Sequence, residues 1–266
     1  MKSDLITLIT DFGYQDPFVG IMKGVILGIN PKARIIDLSH GVPAQDLLAG
    51  ALILRHSVPF FPPGTIHVAI VDPGVGTRRR PLLIEAEGGF FIGPDNGVLS
   101  LALEGREVEK MIELSNETYH LRPASATFHG RDIFAPVAGY LSLGIPAQEL
   151  GAPVSGFVRL PWPEVVWRDD TIQGEIIYID SFGNLISNIS AQDLKGLDPQ
   201  SLTVSLGKLT IQGLAPNYLT GAERGYVALI NSWALLEIAL FKRSAHIESG
   251  IKTGEKILVR KGREMR

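Results

Sequence analysis

Four polar residues stand where a chain can do chemistry. Asp11, Asp72, Asp95 and His129 each close an apolar run or sit in a glycine-containing loop. Asp72 ends the run Thr65-Ile66-His67-Val68-Ala69-Ile70-Val71. It opens Asp72-Pro73-Gly74-Val75-Gly76-Thr77, which leads into Arg78, Arg79 and Arg80. A buried strand that stops at a carboxylate presents it at the sheet edge where open α/β sheets bind ligands. The glycines let the backbone come close to whatever sits there, and one arginine could fold back onto the same place. Taken singly, each aspartate reads as well as a cap on the following turn. Together, polar centres beside turns that permit close approach suit a small-molecule site.

Other chemistries are set aside by what is missing. The 266 residues include no cysteine, which excludes disulfides, thiolate metal sites, iron–sulfur clusters and thiol nucleophiles. No phosphate-binding G-x-x-x-x-G-K-[ST] loop, G-x-S-x-G elbow or H-E-x-x-H helix occurs, and Gly74-Val75-Gly76 lacks the third glycine of a dinucleotide fingerprint. Asp72, His129 and Asp132 are metal-compatible types without tight ligand spacing, so no metal is expected. The net charge of −3 gives no electrostatic reason for a nucleic-acid or membrane-surface partner. No apolar run approaches the ~18 residues of a membrane span. Met1-Lys2-Ser3-Asp4-Leu5 lacks a signal-peptide apolar region, so a cytoplasmic location is expected.

The elements that must position these residues follow from periodicity. Leu5–Thr10, Arg34–Leu38 and Thr65–Val71 read as buried strands. Between them lie a helix capped by Asp16 with Pro17 as its first residue, and a second helix from about Gln45 to Val58. That alternation predicts an α/β domain with a mainly parallel sheet and flanking helices. A hairpin (Leu82–Ala86, Gly89–Ile92), a helix over Val98–Leu103, a strand over Val108–Leu114 and a helix from the Thr127–Asp132 cluster to about Leu143 complete it. Pro153, Pro161 and Pro163 mark a linker. Beyond it, short strands at close spacing predict a β-barrel-like domain. The expected division is residues 1–155, a linker over 156–170, and 171–266.

Five motifs stand in order: Thr10-Asp11-Phe12-Gly13; Val71 to Thr77; Gly93-Pro94-Asp95-Asn96-Gly97; Thr127-Phe128-His129-Gly130-Arg131-Asp132; and Ile179-Asp180-Ser181-Phe182-Gly183-Asn184 running on to Ile189. In this order the chain resembles the S-adenosyl-L-methionine hydroxide adenosyltransferases, relatives of the fluorinase and chlorinase. The resemblance spans nearly the whole chain, to Asn231-Ser232. It implies an N-terminal α/β domain joined to a C-terminal β-barrel, and hydrolysis of S-adenosyl-L-methionine to adenosine and L-methionine with no cofactor. It also implies a homotrimer with active sites shared between subunits.

Residue roles carry over from the same resemblance. Asp72, Arg79 and His129 match the family's catalytic set, which activates a water for attack at ribose C5′; either Asp72 or His129 would take the proton. Asp11 would hold the ribose hydroxyls and Asp180 the methionine ammonium. Phe182 and Asn184 would contact the adenosyl part, Asn184 at the adenine edge, and Ser232 the methionine carboxylate; Phe128 is a further substrate-binding position. The halogenases carry tyrosine where Asp72 stands, and tyrosine followed by serine or glycine where His129-Gly130 stands. A carboxylate repels a halide, so water is the expected nucleophile. Gln45, Trp233 and Leu240-Phe241-Lys242 depart from the halogenase pattern. A non-catalytic protein that binds S-adenosyl-L-methionine or adenosine would not need Asp72, Arg79 and His129 together.

Overall fold

Leu5–Thr10 (β1) is buried at every position, as a central strand covered on both faces must be. In the computed structural model residues 4–221 and 225–262 are described. Met1 to Ser3, part of the segment read above as lacking a signal-peptide apolar region, lie outside the described residues. Clustering of contacts divides the chain into two units, Met1–Leu160 and Pro161–Arg266.

In the first unit β1 is followed by α1 (Phe18–Ile29), β2 (Arg34–Ser39), α2 (Leu47–Ser57), β3 (Thr65–Ile70), β4 (Pro81–Ala86), β5 (Gly89–Pro94), β6 (Val108–Glu113), α3 (Ala135–Ser142) and β7 (Ala152–Pro153). The strands form one sheet in the order β2-β1-β3-β5-β4-β6-β7. Its β2-β1-β3-β5 half is parallel, and β4, β6 and β7 join through antiparallel pairs. Met22 and Ile26 of α1 and Val137 and Leu141 of α3 bury one sheet face against Ile6, Leu8, Ile66, Val68 and Ile70. On α2, a side chain at Gly50 would come within 2.9 Å of Val71, so the glycine lets that helix press on the strand end just before Asp72.

Three local expectations are corrected. Asp16 does not cap α1. Pro17 holds that position, its carbonyl accepting from the Ile21 N–H at 2.9 Å. Starting there places Phe18 edge-on to Phe12 and Phe128, with ring centres 5.9 and 5.2 Å away. The helix α2 starts at Leu47, because Gln45 is left-handed (φ 65°) and the Asp46 carboxylate caps the Ala49 N–H at 2.9 Å. Val98–Leu103 yields only a 3₁₀ turn over Leu101–Leu103. Ser100 Oγ there donates to the Gly97 carbonyl at 2.7 Å and accepts from Leu160 N at 3.1 Å, a local alternative to helical bonding.

The second unit contains β8 (Val166–Arg168), β9 (Thr171–Ile179), β10 (Leu185–Ser190), β11 (Leu202–Leu206), β12 (Leu209–Gln212), β13 (Tyr226–Ile230), β14 (Leu235–Leu240), α4 (Ala245–Ser249) and β15 (Lys256–Lys261). The order is β12-β11-β15-β9-β10-β14-β13, all antiparallel, with β8 beside β9. Just past β12, Ala215 N donates to Ala228 O of β13 at 2.7 Å, which brings the two ends of the sheet together. The result is a nearly closed barrel around Ile172, Ile176, Leu185, Val204, Leu236, Ile238 and Val259.

One buried histidine ties fold stability to pH. His67 of β3 is fully buried, its Nδ1 2.8 Å from Thr7 Oγ1, its ring beside Phe61 and Phe91. Burial pushes its pKa down to about 4, and His56 is pushed to about 4 by burial as well. An unfolded histidine titrates near 6.5, so the unfolded chain takes up protons first as pH falls. The stability that neutral His67 preserves is therefore complete above about pH 6.5 and lost as pH drops toward 4, an amount of about 3 kcal/mol. Urea unfolding at a series of pH values should show this decline. His67→Asn, which keeps a ring-side acceptor for Thr7, should flatten it in part; an unchanged slope would rule out His67 as its source.

Candidate active site

The parallel register of β1 and β3 sets Thr10 opposite Ile70, so Asp11 and Asp72 emerge from neighbouring strand ends. Arg79 lies seven residues beyond Asp72, after the Gly74–Gly76 turn, and it does fold back. Its Nε donates to both Asp72 oxygens at 3.0 Å, and its Nη2 donates to Asp72 Oδ2 at 2.5 Å. The same Nη2 lies 2.7 Å from His129 Nδ1. The Arg79 and Asp72 side chains are only 8% and 6% exposed, and the guanidinium rests over the Phe134 ring at 5.4 Å.

This contact fixes a tautomer. A guanidinium can only donate, so His129 Nδ1 must be the acceptor, and in neutral His129 the proton sits on Nε2. Burial first, and the Arg79 charge second, hold the His129 pKa below its ordinary value and favour that neutral form. Beside these groups lies a cavity of about 450 Å³, lined by Phe12, Phe18, Phe128, Val75 and Ile70 with Asp72 and His129. Its wall is aromatic: Phe128 packs on Phe12 and Phe18, and Arg131 lies over its far side at 5.3 Å.

The glycine expected to admit a ligand instead admits another loop. Gly76 (φ 76°) carries no side chain where the Ala126 carbonyl oxygen sits; a Cβ would meet it at 2.3 Å. The turn after Asp72 and the loop before His129 thus approach each other closely, backbone to backbone. His129 then enters a wide π-type turn, Gly130–Phe134, that runs into α3.

Asp11 lies apart from the Asp72–Arg79–His129 contact, its Oδ2 accepting from the Gln45 N–H at 2.9 Å. A network missed by sequence reasoning braces its loop. Thr10 Oγ1 pairs with His40 Nδ1 at 2.8 Å, and the His40 carbonyl accepts from Gly13 N at 2.8 Å. His40 Nε2 sits 3.1 Å from Asp37 Oδ1, off the line of a straight hydrogen bond, and Lys23 and Tyr14 donate to the other Asp37 oxygen. Asp95 is structural: it pairs with Arg80 and accepts from Val158 N. Asp132 is held by Arg131 and Ser125 N, outside the catalytic contact. Among the described residues no three His, Asp or Glu side chains are grouped to hold a metal.

The remaining candidates lie in the second unit and share one pocket of about 710 Å³. Asp180 closes β9 and organises the turn that follows: Oδ1 accepts from Phe182 N and Asn184 N, and Oδ2 from Asn184 Nδ2, each at 2.9 Å. Gly183 (φ 82°) lets this turn sit on Ser244, whose side chain caps α4. Phe182 is left 77% exposed while Asn184 is buried. Ser232 lies exposed in the β13–β14 turn, which Asn231 holds by accepting from Trp233 N and Leu235 N at 2.9 and 3.1 Å. Glu237, in the floor of this pocket, was not anticipated. Its signal was a single charged residue inside Leu235-Leu236-Glu237-Ile238-Ala239-Leu240, where every position is buried.

The Gly76 contact is testable by comparison with Gly105, which has a similar φ of 71° but open space around it. Gly105→Ala should cost only backbone strain, about 1 kcal/mol. Gly76→Ala adds the collision with Ala126 and should lower the melting temperature clearly more. Equal shifts for the two variants would dismiss the joined-loop account.

Comparison with known proteins identifies the family. The N-terminal and C-terminal domain models of SAM hydroxide adenosyltransferase match residues 6–151 and 174–258. A protein of Salinispora arenicola named (R)-S-adenosyl-L-methionine hydrolase is 43% identical over 205 residues, 75% of this chain and 77% of its own. One of the same name from Methanocaldococcus jannaschii is 35% identical over 91% of this chain and 90% of its own. A fluorinase of Actinoplanes is more distant, 28% identical over 97% of each chain. The crystal structure of an uncharacterized conserved protein from Thermotoga maritima superposes with a TM-score of 0.90 at 31% identity, covering 97% of this chain and 100% of that one. With both domain models matched and relatives above 30% identity along most of its length, the chain belongs to the SAM hydroxide adenosyltransferase family.

Proposed function

We propose that the protein hydrolyses S-adenosyl-L-methionine to adenosine and L-methionine, with Asp72, Arg79 and His129 activating the water. The observation that carries this reading is the buried contact of the three side chains beside an aromatic cavity. Ribose C5′ bears a sulfonium leaving group, and displacement needs only an in-line oxygen nucleophile held close and shielded from bulk water. The C5′–S bond breaks as the C5′–O bond forms. The sulfur keeps the electron pair and becomes the neutral thioether of methionine. One proton from the water is released.

The tautomer divides the roles. With Nδ1 engaged by Arg79, His129 offers the Nε2 proton as a donor that orients the water oxygen. Asp72 Oδ1 accepts a single hydrogen bond from Arg79, so it keeps capacity to take the water's proton. Arg79 stabilises hydroxide character on the nucleophile. A carboxylate at this place suits water and disfavours a halide.

For the substrate, Asp11 receives the ribose hydroxyls with the oxygen not held by Gln45. Phe128 and Phe182 stack on the adenosyl part. Asn184, whose Nδ2 is tied to Asp180, turns its free oxygen toward the adenine amino group. Asp180 and Ser232 face the methionine end. No cofactor enters, because water is the second reactant. Following the family resemblance, the active form is a homotrimer whose sites are completed between subunits, working in the cytoplasm.

Purified protein incubated with S-adenosyl-L-methionine should yield adenosine and methionine in equal amounts by chromatography. Bound ligand without adenosine would leave a binding protein, and 5′-halo-adenosine formed with chloride or fluoride would make it a halogenase. Asp72→Asn should lower kcat at least about 100-fold while changing adenosine affinity little. His129→Gln, which keeps a donor but not the ring, should cost less; equal losses would contradict the division between base and donor. Light scattering should give three times the 28.9 kDa chain mass, and a monomer of full activity would refute shared sites.

A further inference from the structure

The segment that leaves β2, Ser39 to Gln45, grips the Asp11 loop along its length. Where β1 pairs with β2, Leu8 lies opposite Asp37 but Ile9 lies opposite Ser39, so Leu38 is an extra residue. That bulge advances β2 and carries the next residue, His40, to the level of Thr10. The two side chains meet there, His40 Nδ1 2.8 Å from Thr10 Oγ1, and both are buried. Thr10 Oγ1 also accepts from Phe12 N at 3.2 Å, a bond that spans Asp11. Farther on, the His40 carbonyl accepts from Gly13 N, and the Gln45 N–H donates to Asp11 Oδ2. The backbone on either side of Asp11 therefore answers to one histidine.

The ring can do this in only one protonation pattern. Burial, opposed by the Asp37 carboxylate, holds the His40 pKa below its ordinary value, which favours the neutral ring. Its Nε2 lies 3.1 Å from Asp37 Oδ1. A bare nitrogen lone pair would be repelled by a carboxylate, so the single ring proton sits on Nε2. Nδ1 is then an acceptor, and the Thr10 hydroxyl donates to it while keeping its own lone pairs for Phe12 N. With the proton on Nδ1, the ring and Phe12 N would both donate to Thr10 Oγ1, and the Thr10 proton would need another acceptor in the core. Asp37 is fixed in turn. Lys23 Nζ at 2.5 Å and the Tyr14 hydroxyl at 3.1 Å both donate to its Oδ2, which leaves Oδ1 for the ring. The Tyr14 ring stands edge-on to His40, with ring centres 5.1 Å apart.

We propose that His40, in the tautomer imposed by Asp37, is a positioning residue for Asp11: it holds the loop so that the carboxylate oxygen not bound by Gln45 meets the ribose hydroxyls. Buried as it is, His40 acts through Thr10 and Gly13. This rests on the reading of Asp11 as the ribose contact for S-adenosyl-L-methionine.

The test measures dissociation constants for adenosine and for 2′,3′-dideoxyadenosine by isothermal titration calorimetry. Wild-type protein should prefer adenosine about tenfold or more, as hydrogen bonds to a charged group would give. Asp11→Ala should reduce that preference to within about threefold. His40→Gln, which reaches toward Asp37 but withdraws the acceptor from Thr10, should reduce it likewise. Asp37→Asn should do the same with the ring still in place. Lys23 and Tyr14 keep an oxygen at the Oδ2 position, so the amide N–H groups face Nε2 and drive the ring proton to Nδ1. His40→Asn, shorter but with an acceptor near the place of Nδ1, should keep most of the preference. Affinity for the dideoxy compound should stay within about twofold throughout. Should His40→Gln prove unfolded by circular dichroism, Asp37→Asn carries the comparison alone. Equal weakening on both ligands, an unchanged preference in the folded variants, or a loss in His40→Asn as large as in His40→Gln would overturn the assignment. A preference that survives Asp11→Ala would reject Asp11 as the ribose contact, and this assignment with it.

Discussion

A guanidinium cannot be buried alone, and the first unit is arranged around that fact. Arg79 is nearly enclosed, so its charge must be met by Asp72 and its plane by Phe134. Meeting those demands fixes a strand-end carboxylate, a turn and a loop histidine in one place. It also dictates the imidazole tautomer, since a donor-only neighbour leaves Nδ1 no choice. Removing the arginine would uncouple three segments that share no other side-chain anchor of comparable strength, and would leave the Asp72 carboxylate buried without its counter-charge.

Backbone strain borders other candidate contacts, Asp169 of the β8–β9 turn excepted. Four non-glycine residues among those described adopt left-handed φ: Gln45, Asp169, Ala234 and Lys242. Gln45 is held by Asp11, Ala234 belongs to the turn that presents Ser232, and Lys242 lines the pocket that contains Glu237. Conformations of this kind persist only where surrounding bonds over-determine them. At Gln45 and in the β13–β14 turn those bonds come from the side chains of Asp11 and Asn231, and Asp11 is itself a candidate substrate contact.

Much of the fold was legible because it rests on local signals. The alternation of apolar runs gave β1, β2 and β3 with their crossovers, and the short strands beyond residue 170 gave the barrel. The strand-end position of Asp72 could be read from the apolar run, and the glycines after it let one of three arginines fold back; only the family resemblance singled out Arg79. What stayed hidden depends on contacts distant in sequence. The Asp16 cap failed because aromatic packing of Phe18 set the helix start. The pairing of Gly76 with Ala126 joins positions 50 residues apart, and no local rule tells a ligand's approach from a carbonyl's. Thr10, His40 and Asp37 look like an ordinary strand end, bend and strand until the sheet brings them together. Glu237 left a faint trace, one acid in an apolar strand, which periodicity alone reads as a solvent-facing position.

The Gly76–Ala126 junction has an evolutionary consequence. The two loops approach each other through backbone at this point, while Arg79 ties them through side chains to Asp72 and His129. Val75, Ser125 and Thr127 border the cavity, and the close backbone approach of the Asp72 and His129 segments requires that position 76 stay glycine. A lineage could therefore retune the rim for a different sulfonium while inheriting the catalytic spacing intact. The narrow point in that freedom is a residue with no side chain at all.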